Sequence, residues 1–235
     1  MIFFQYHPDI VNAFPSLVGG VILARNMRHS PDWGAFQAGY IQEQQSVMSR
    51  IGEMPLSQLP ALAAWRTAFR QFDVDPTQYR SAAEALLRRL TKKGDIPSVN
   101  TLVDIGNMVS IRYALPVAIF DTRLIQGILT VRFADGTEEF TPLGCDETEH
   151  PQPGEVIFSD ENDQVAARRW CWRQSEHSAA RNDTTAAIVT VEAHHPEAEE
   201  DILKALADLT CLLRQYSDAD CVSAILNKDQ LAAEG

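Results

Sequence analysis

No apolar run in the sequence is long enough to cross a membrane. The longest, residues 13–24, is about a dozen residues and is interrupted by Pro15, Ser16, Gly19 and Gly20, whereas a spanning helix needs roughly twenty. The N-terminus, MIFFQYHPDI, lacks the basic stretch and apolar core of a secretory signal, so the chain is expected in the cytoplasm, without membrane contact. Cysteine is scarce. Cys145, Cys171, Cys211 and Cys221 show no C-x-x-C spacing, so neither a zinc ribbon nor a thioredoxin-like motif is present, and four free thiols fit a reducing compartment. His7, His29, His150, His177, His194 and His195 form no H-E-x-x-H or comparable ligand spacing, and neither a metal nor a cofactor is expected. P-loop, G-x-G-x-x-G and G-x-S-x-G motifs are missing too, which removes support for the common nucleotide-hydrolysing, hydride-transferring and lipolytic classes. Basic side chains are in deficit, 20 against 32 acidic, for a net charge of −12. Such a chain is a poor coat for long DNA, because backbone binding needs many phosphate neutralisations. A local basic site for a short or partly single-stranded nucleic acid stays compatible with it.

What is present suits a folded domain. The 235 residues are 45% hydrophobic and 22% charged, enough to bury a core without disulfide or metal staples. No internal repeat or low-complexity linker divides them, so one contiguous domain over residues 1–217 is expected. Residues 18–23 read as a strand, and helical periodicity dominates residues 35–114. Residues 59–72 carry Leu62, Trp65, Ala68, Phe69 and Phe72 at helical spacing. In the helix after Tyr79, Ser81 and Glu84 form a capping box and Gly94 closes the end. A third helix spans 101–113. From 119 to 193 the period changes to that of strands, at 127–134, 155–159, 165–172 and 186–192, with turns at Asp135-Gly136 and at 160–163. A last helix covers 199–216. Residues 218–235 are expected as a C-terminal tail or short helix, packed on the body or forming a subunit contact. Helices first, strands next and a helix last predict an α+β fold.

Charge and polarity are unevenly placed. Residues 65–93 hold seven basic side chains against three acidic ones, while residues 134–163 hold ten acids and no Lys or Arg. The basic stretch is either a local polyanion site or a complement to a helix C-terminus. Asn100, Asp104 and Asn107 follow the i, i+4, i+7 rule and share a helix face, with Ser110 one turn on. They suit a small polar ligand, with capping as the plain alternative for Asn100. Arg168, Arg169, Trp170, Cys171, Trp172, Arg173, Gln174 and Ser175 form the second cluster. Read as one strand, it places Arg169, Cys171 and Arg173 on one face and Trp170 and Trp172, with Arg168, on the other. That mixture stacks and neutralises a nucleotide or an aminoacyl group, or else is a core Trp pair with a solvated Arg face.

Residues 96–121, IPSVNTLVDIGNMVSIRYALPVAIFD, resemble the B3/B4 domain of the bacterial phenylalanyl-tRNA synthetase beta subunit. The matching residues are Val103, Asp104, Asn107, Val109, Pro116, Phe120 and Asp121. The resemblance continues through Gly127, Arg132 and Leu143-Gly144, is best over residues 96–192, and implies helices packed on a multi-stranded β core. It also implies a free-standing relative of the editing domain, serving translation fidelity by hydrolysing in trans the ester of a mischarged aminoacyl-tRNA. In that reading Asn107 and Asp104 are catalytic. Asn100, Ser110, Trp170, Trp172 and Gln174 line the pocket, and Arg80, Arg168, Arg169 and Arg173 contact the 3′ end of the tRNA. Glu155 and Glu176 are further candidates, with Asp104, for orienting a water. Two departures stand out: Ala118 occupies the place of a family histidine, and Trp170–Arg173 replace a glycine-rich strand end. The alternatives are a non-catalytic module that binds tRNA or an amino acid in the same pocket, and a protein–protein adaptor that keeps only the fold.

Overall fold

The computed structural model describes residues 2–28 and 33–235; His29 lies outside the described residues. Strand β1 (Ile2–Tyr6) and helix α1 (Pro8–Ala13) lead into β2 (Val18–Arg25) and then into α2 (Trp33–Ile51), α3 (Pro60–Gln71), α4 (Ala82–Lys93) and α5 (Thr101–Tyr113). The strands β3 (Val117–Asp121), β4 (Leu129–Phe133), β5 (Val156–Ser159), β6 (Val165–Arg168), β7 (Arg173–Gln174) and β8 (Ala187–Ala193) follow. The chain ends with α6 (Ala198–Ser217), β9 (Asp220–Leu226) and β10 (Ala232–Glu234). The α+β class is the one the order of periodicities predicts.

Burial on both faces explains why β2 reads as a nearly unbroken apolar run. It lies inside a four-stranded sheet of order β3-β8-β2-β9, which forms the middle layer of the molecule. Ile22 and Ala24 of β2, with Val189 and Val191 of β8, face the helices. Val21, Leu23 and Ile188 face the second sheet, of order β10-β1-β4-β5-β6-β7, across an aromatic core of Phe4, Tyr6, Phe14, Trp65, Phe69, Phe120, Phe158 and Trp170. Gly20 is where α6 comes closest: a Cβ there would lie 2.8 Å from Leu206 Cγ. The middle sheet therefore separates an aliphatic helical side from an aromatic one, and any residue's side of it decides which pocket it can reach.

Local signals fix the helix ends. Ser81 Oγ accepts the Glu84 amide at 3.3 Å, and Gly94 closes α4 at φ +85°. Asn100 Oδ1 accepts the Val103 amide at 2.9 Å and starts α5 at the expected residue.

Three expectations are corrected. The strand predicted over 165–172 stops at Arg168, because Arg169 and Trp170 adopt φ of +45° and +58°; two successive left-handed residues cannot continue a ladder. The Asp135-Gly136 turn does not join a tight hairpin, since β4 pairs with β5 only after a long excursion. Its bend is instead closed by Glu138, whose carboxylate accepts the amides of Asp135 and Gly136. Residues 218–235 are no short helix or free tail. Asp218 ends α6 in a left-handed conformation, and β9 then pairs with β2 from Gly19 to Arg25. The unsatisfied edge of an apolar central strand recruits this segment, whose alternation reads ambiguously by itself.

Candidate functional site

The polar face of α5 is largely spent on structure. Besides capping, Asn100 donates through Nδ2 to the Ala180 carbonyl at 3.0 Å. Ser110 Oγ donates to the Leu115 carbonyl at 2.6 Å and holds the C-terminal turn. Asp104 is fully buried, accepts the Val99 amide at 2.9 Å through Oδ1, and leaves Oδ2 without a partner. Burial pushes its pKa up. Asn107 is half-buried beside the Tyr40 hydroxyl of α2. Gly106, between them, packs on Val117 and Ile119, so α5 lies on the helical side of the middle sheet.

On the other side is a pocket of about 70 Å³ at the edge strand β3. Its wall is Pro116, Val117 and Ala118, its floor Phe158, Ala167, Trp170, Thr190 and Glu192, and its rim Cys171, Trp172, Arg173 and Gln174 with Ala82. Alternation along β8 aims Thr190 and Glu192 to this side.

Glu192 dominates the chemistry. It is 2% exposed, and its Oε1 accepts the Tyr6 hydroxyl at 2.7 Å and Trp170 Nε1 at 3.0 Å. Its backbone carbonyl accepts Trp65 Nε1 at 3.2 Å. Desolvation pushes the carboxyl up to about 7, against the two hydrogen bonds, which pull it down. Gly19 stands opposite Glu192 in the β2–β8 register, and a Cβ there would lie 2.1 Å from Tyr6 Oη. A side chain at position 19 would therefore push the hydroxyl off Glu192. Burial and the neighbouring Glu192 raise the pKa of Cys171, keeping its thiol protonated. His194, two residues on, sits between Trp65 and Trp170 at ring distances of 4.6 and 5.1 Å with both nitrogens unpartnered. Desolvation lowers its pKa to about 3, so it is neutral.

The rim is a layered stack. The Arg169 guanidinium lies 4.0 Å from the Tyr79 ring centroid and 4.6 Å from that of Trp172, and Arg173 lies 4.7 Å from the Trp172 centroid on its own account. Arg169 also reaches Glu155 at 3.2 Å, while Arg173 is exposed.

The B3/4 domain family matches residues 64–216, well over half of the sequence. The chain belongs to the B3/4 domain family. Among curated proteins none matches. Among solved structures, an N-terminal fragment of the phenylalanyl-tRNA synthetase beta subunit from Pyrococcus horikoshii is similar at 14% identity and a TM-score of 0.49. The match covers 93% of this chain and 50% of that one, so the chain spans about half the fragment's length.

In this B3/4 domain the predicted site residues fall into two groups. Trp170, Trp172, Arg173 and Gln174 meet at the pocket; Asn100, Asp104, Asn107 and Ser110 line α5 and do not border it. Gln174 is anchored by Nε2 to the carbonyls of Ile119 at 2.7 Å and Ser178 at 2.9 Å. Arg168 is not available to nucleic acid: it is buried, bound to Glu155 through Nε and Nη2 at 3.1 and 2.8 Å and to Glu149 at 2.7 Å. Trp170 is core, and Arg80 shares Glu84 with Arg66. Of the acids considered for orienting water, Glu155 is taken by Arg168 and Arg169, and Glu176 by Arg181. Sequence reading passed over Glu192. Its signal is a lone acid in the apolar strand AIVTVEA, since a charge there is buried on one face or the other. Tyr6 and Gly19, which set its environment, lie outside the matched region. No helix of the described residues is long and apolar enough to cross a membrane.

Proposed function

We propose that this B3/4 domain protein acts on the 3′ end of aminoacyl-tRNA, as a hydrolase that removes a wrong amino acid in trans. The observation that carries this reading is Glu192: the pocket's one carboxyl, buried, and pushed up to about 7 beside the Thr190 side chain. A base of that strength is matched to proton transfer near neutral pH. An aminoacyl ester is already activated, so a positioned water and a base supply much of the rate. Ionised Glu192 takes a proton from water as its oxygen adds to the ester carbonyl. Collapse of the tetrahedral adduct expels the ribose oxygen, which receives that proton from the Glu192 acid. Trp172 and Arg173 at the rim offer a stacking face and a positive charge to the terminal nucleotide. Cys171, protonated, takes no nucleophilic part.

A non-catalytic binding module is the second reading. Ala118 favours it, since its methyl group stands where the resembling synthetase domain has a histidine. A deacylation screen over correctly and wrongly charged tRNAs tests both readings. Glu192→Gln keeps an oxygen to accept the Tyr6 and Trp170 hydrogen bonds, and is expected to slow loss of the ester at least about a hundredfold while salt-sensitive tRNA binding persists. Ester turnover unaffected by Glu192→Gln contradicts the catalytic role of that residue. Salt-sensitive binding without any turnover establishes the binding module.

A further inference from the structure

The outer strand of the middle sheet carries an interface that the pocket does not use. β9 pairs with β2 along one side, and among the described residues no strand pairs with its other side. Every second residue of β9 therefore turns its backbone N–H and C=O away from β2, a row of donors and acceptors with no strand partner. The strand sequence DCVSAIL has no proline or lysine, its one charge, Asp220, stands at the strand's start and accepts from Asn26, and its register with β2 has no bulge, so the middle of the strand lacks the usual protections of an edge. Val222 on it is 47% exposed. Beside it α6 turns Leu203, Ala207 and Cys211 outward at i, i+4 and i+8, with Leu203 51% exposed. These side chains and those of β9 line an open groove of about 900 Å³.

We propose that this face joins two copies of the chain by antiparallel β9–β9 pairing about a two-fold axis at Ser223. The axis sets Val222 against Ala224 and Cys221 against Ile225 of the second copy, so small and apolar side chains meet across the ladder. It also brings the turn after α6, with exposed Asp218, to the turn after β9, with exposed Lys228. That ion pair forms twice, as an isologous interface requires. The two α6 helices lie on the same side of the joined sheet, and their stripes meet over the axis to fill the groove. An unrelated extended peptide would satisfy the backbone row but would bring no helix to the groove and no Lys228 to Asp218.

Sedimentation velocity on the full chain, up to about 100 µM, tests this. A mass twice that of one chain is expected. Lys228→Glu sets two like-charge contacts in the interface and is expected to weaken the dimer about tenfold. The double variant Asp218→Lys/Lys228→Glu is expected to restore it. Near-UV circular dichroism reports whether each variant folds; Val222→Lys, at an exposed position, replaces Lys228→Glu if that one does not. A monomer at the highest concentration, or a dimer indifferent to the charge reversal, overturns the proposal. Weakening that the double variant does not reverse overturns the two-fold register.

Discussion

Glu192 in β8 and His194 just past the end of that strand carry opposite pH penalties. Glu192 has a folded pKa of about 7 against an ordinary 4.5, so the folded state holds its proton while the unfolded state has lost it. Its contribution is full below pH 4.5 and declines as pH rises to 7, by roughly 1.4 kcal/mol per unit. His194 has a folded pKa of about 3 against 6.5, so the unfolded state binds the extra proton. Its contribution is full above pH 6.5 and declines as pH falls towards 3. Between 4.5 and 6.5 the two slopes oppose each other. Relative to the parent, Glu192→Gln is therefore expected to gain stability as pH rises from 4.5 to 7, and His194→Phe to lose it from 3 to 6.5. Urea midpoints measured from pH 4 to 8 on the three proteins check the signs. A difference that stays flat with pH for Glu192→Gln would show that this carboxyl ionises freely in the folded protein.

At the scale of elements, caps and periodicity made the helices legible. Asn100, Ser81 and Gly94 sit at the ends they predict, because a cap is a contact within a few residues. Asn100 has a second contact that no local pattern announces, to Ala180 across the helix–loop interface. Asn100→Ala removes both and is expected to lower stability by about 2 kcal/mol; a thermal or urea melt that moves by less than about half of that would reduce its role to the surface. The strand 165–172 was misread for the opposite reason. Its ending is imposed by the burial of Trp170 against Trp65, Phe14 and Phe72, and that burial turns Arg169 and Trp170 left-handed. Arg168, the last residue of β6, pairs with Glu155 and Glu149, so an internal ion pair stands where a phosphate contact is anticipated.

At the scale of the molecule, the three-layer arrangement depends on a segment that sequence reading left at the margin. β9 closes one side of β2, and Leu226 and Ala233 are buried in the aromatic core. Deleting residues 218–235 uncovers that side of β2 and the aromatic core at once and is expected to abolish cooperative folding, seen as loss of a thermal transition or of soluble protein. A truncated chain that melts like the parent would return those residues to the status of a tail.

The amino-acid sequence by itself determined the α+β class, the boundaries of α3 to α6, the family and the rim residues Trp172, Arg173 and Gln174. Each of these rests on contacts between near neighbours or on a contiguous motif. Only the tertiary structure decided that α5 and the Trp–Arg cluster lie on opposite sides of one sheet. Only it decided, too, that Glu192 belongs to the pocket, because burial shifts its proton and its partners Tyr6, Trp65 and Trp170 are residues far from it in sequence. The chain's charge pattern names the ionisable groups; which of them lose their water is settled by long-range packing.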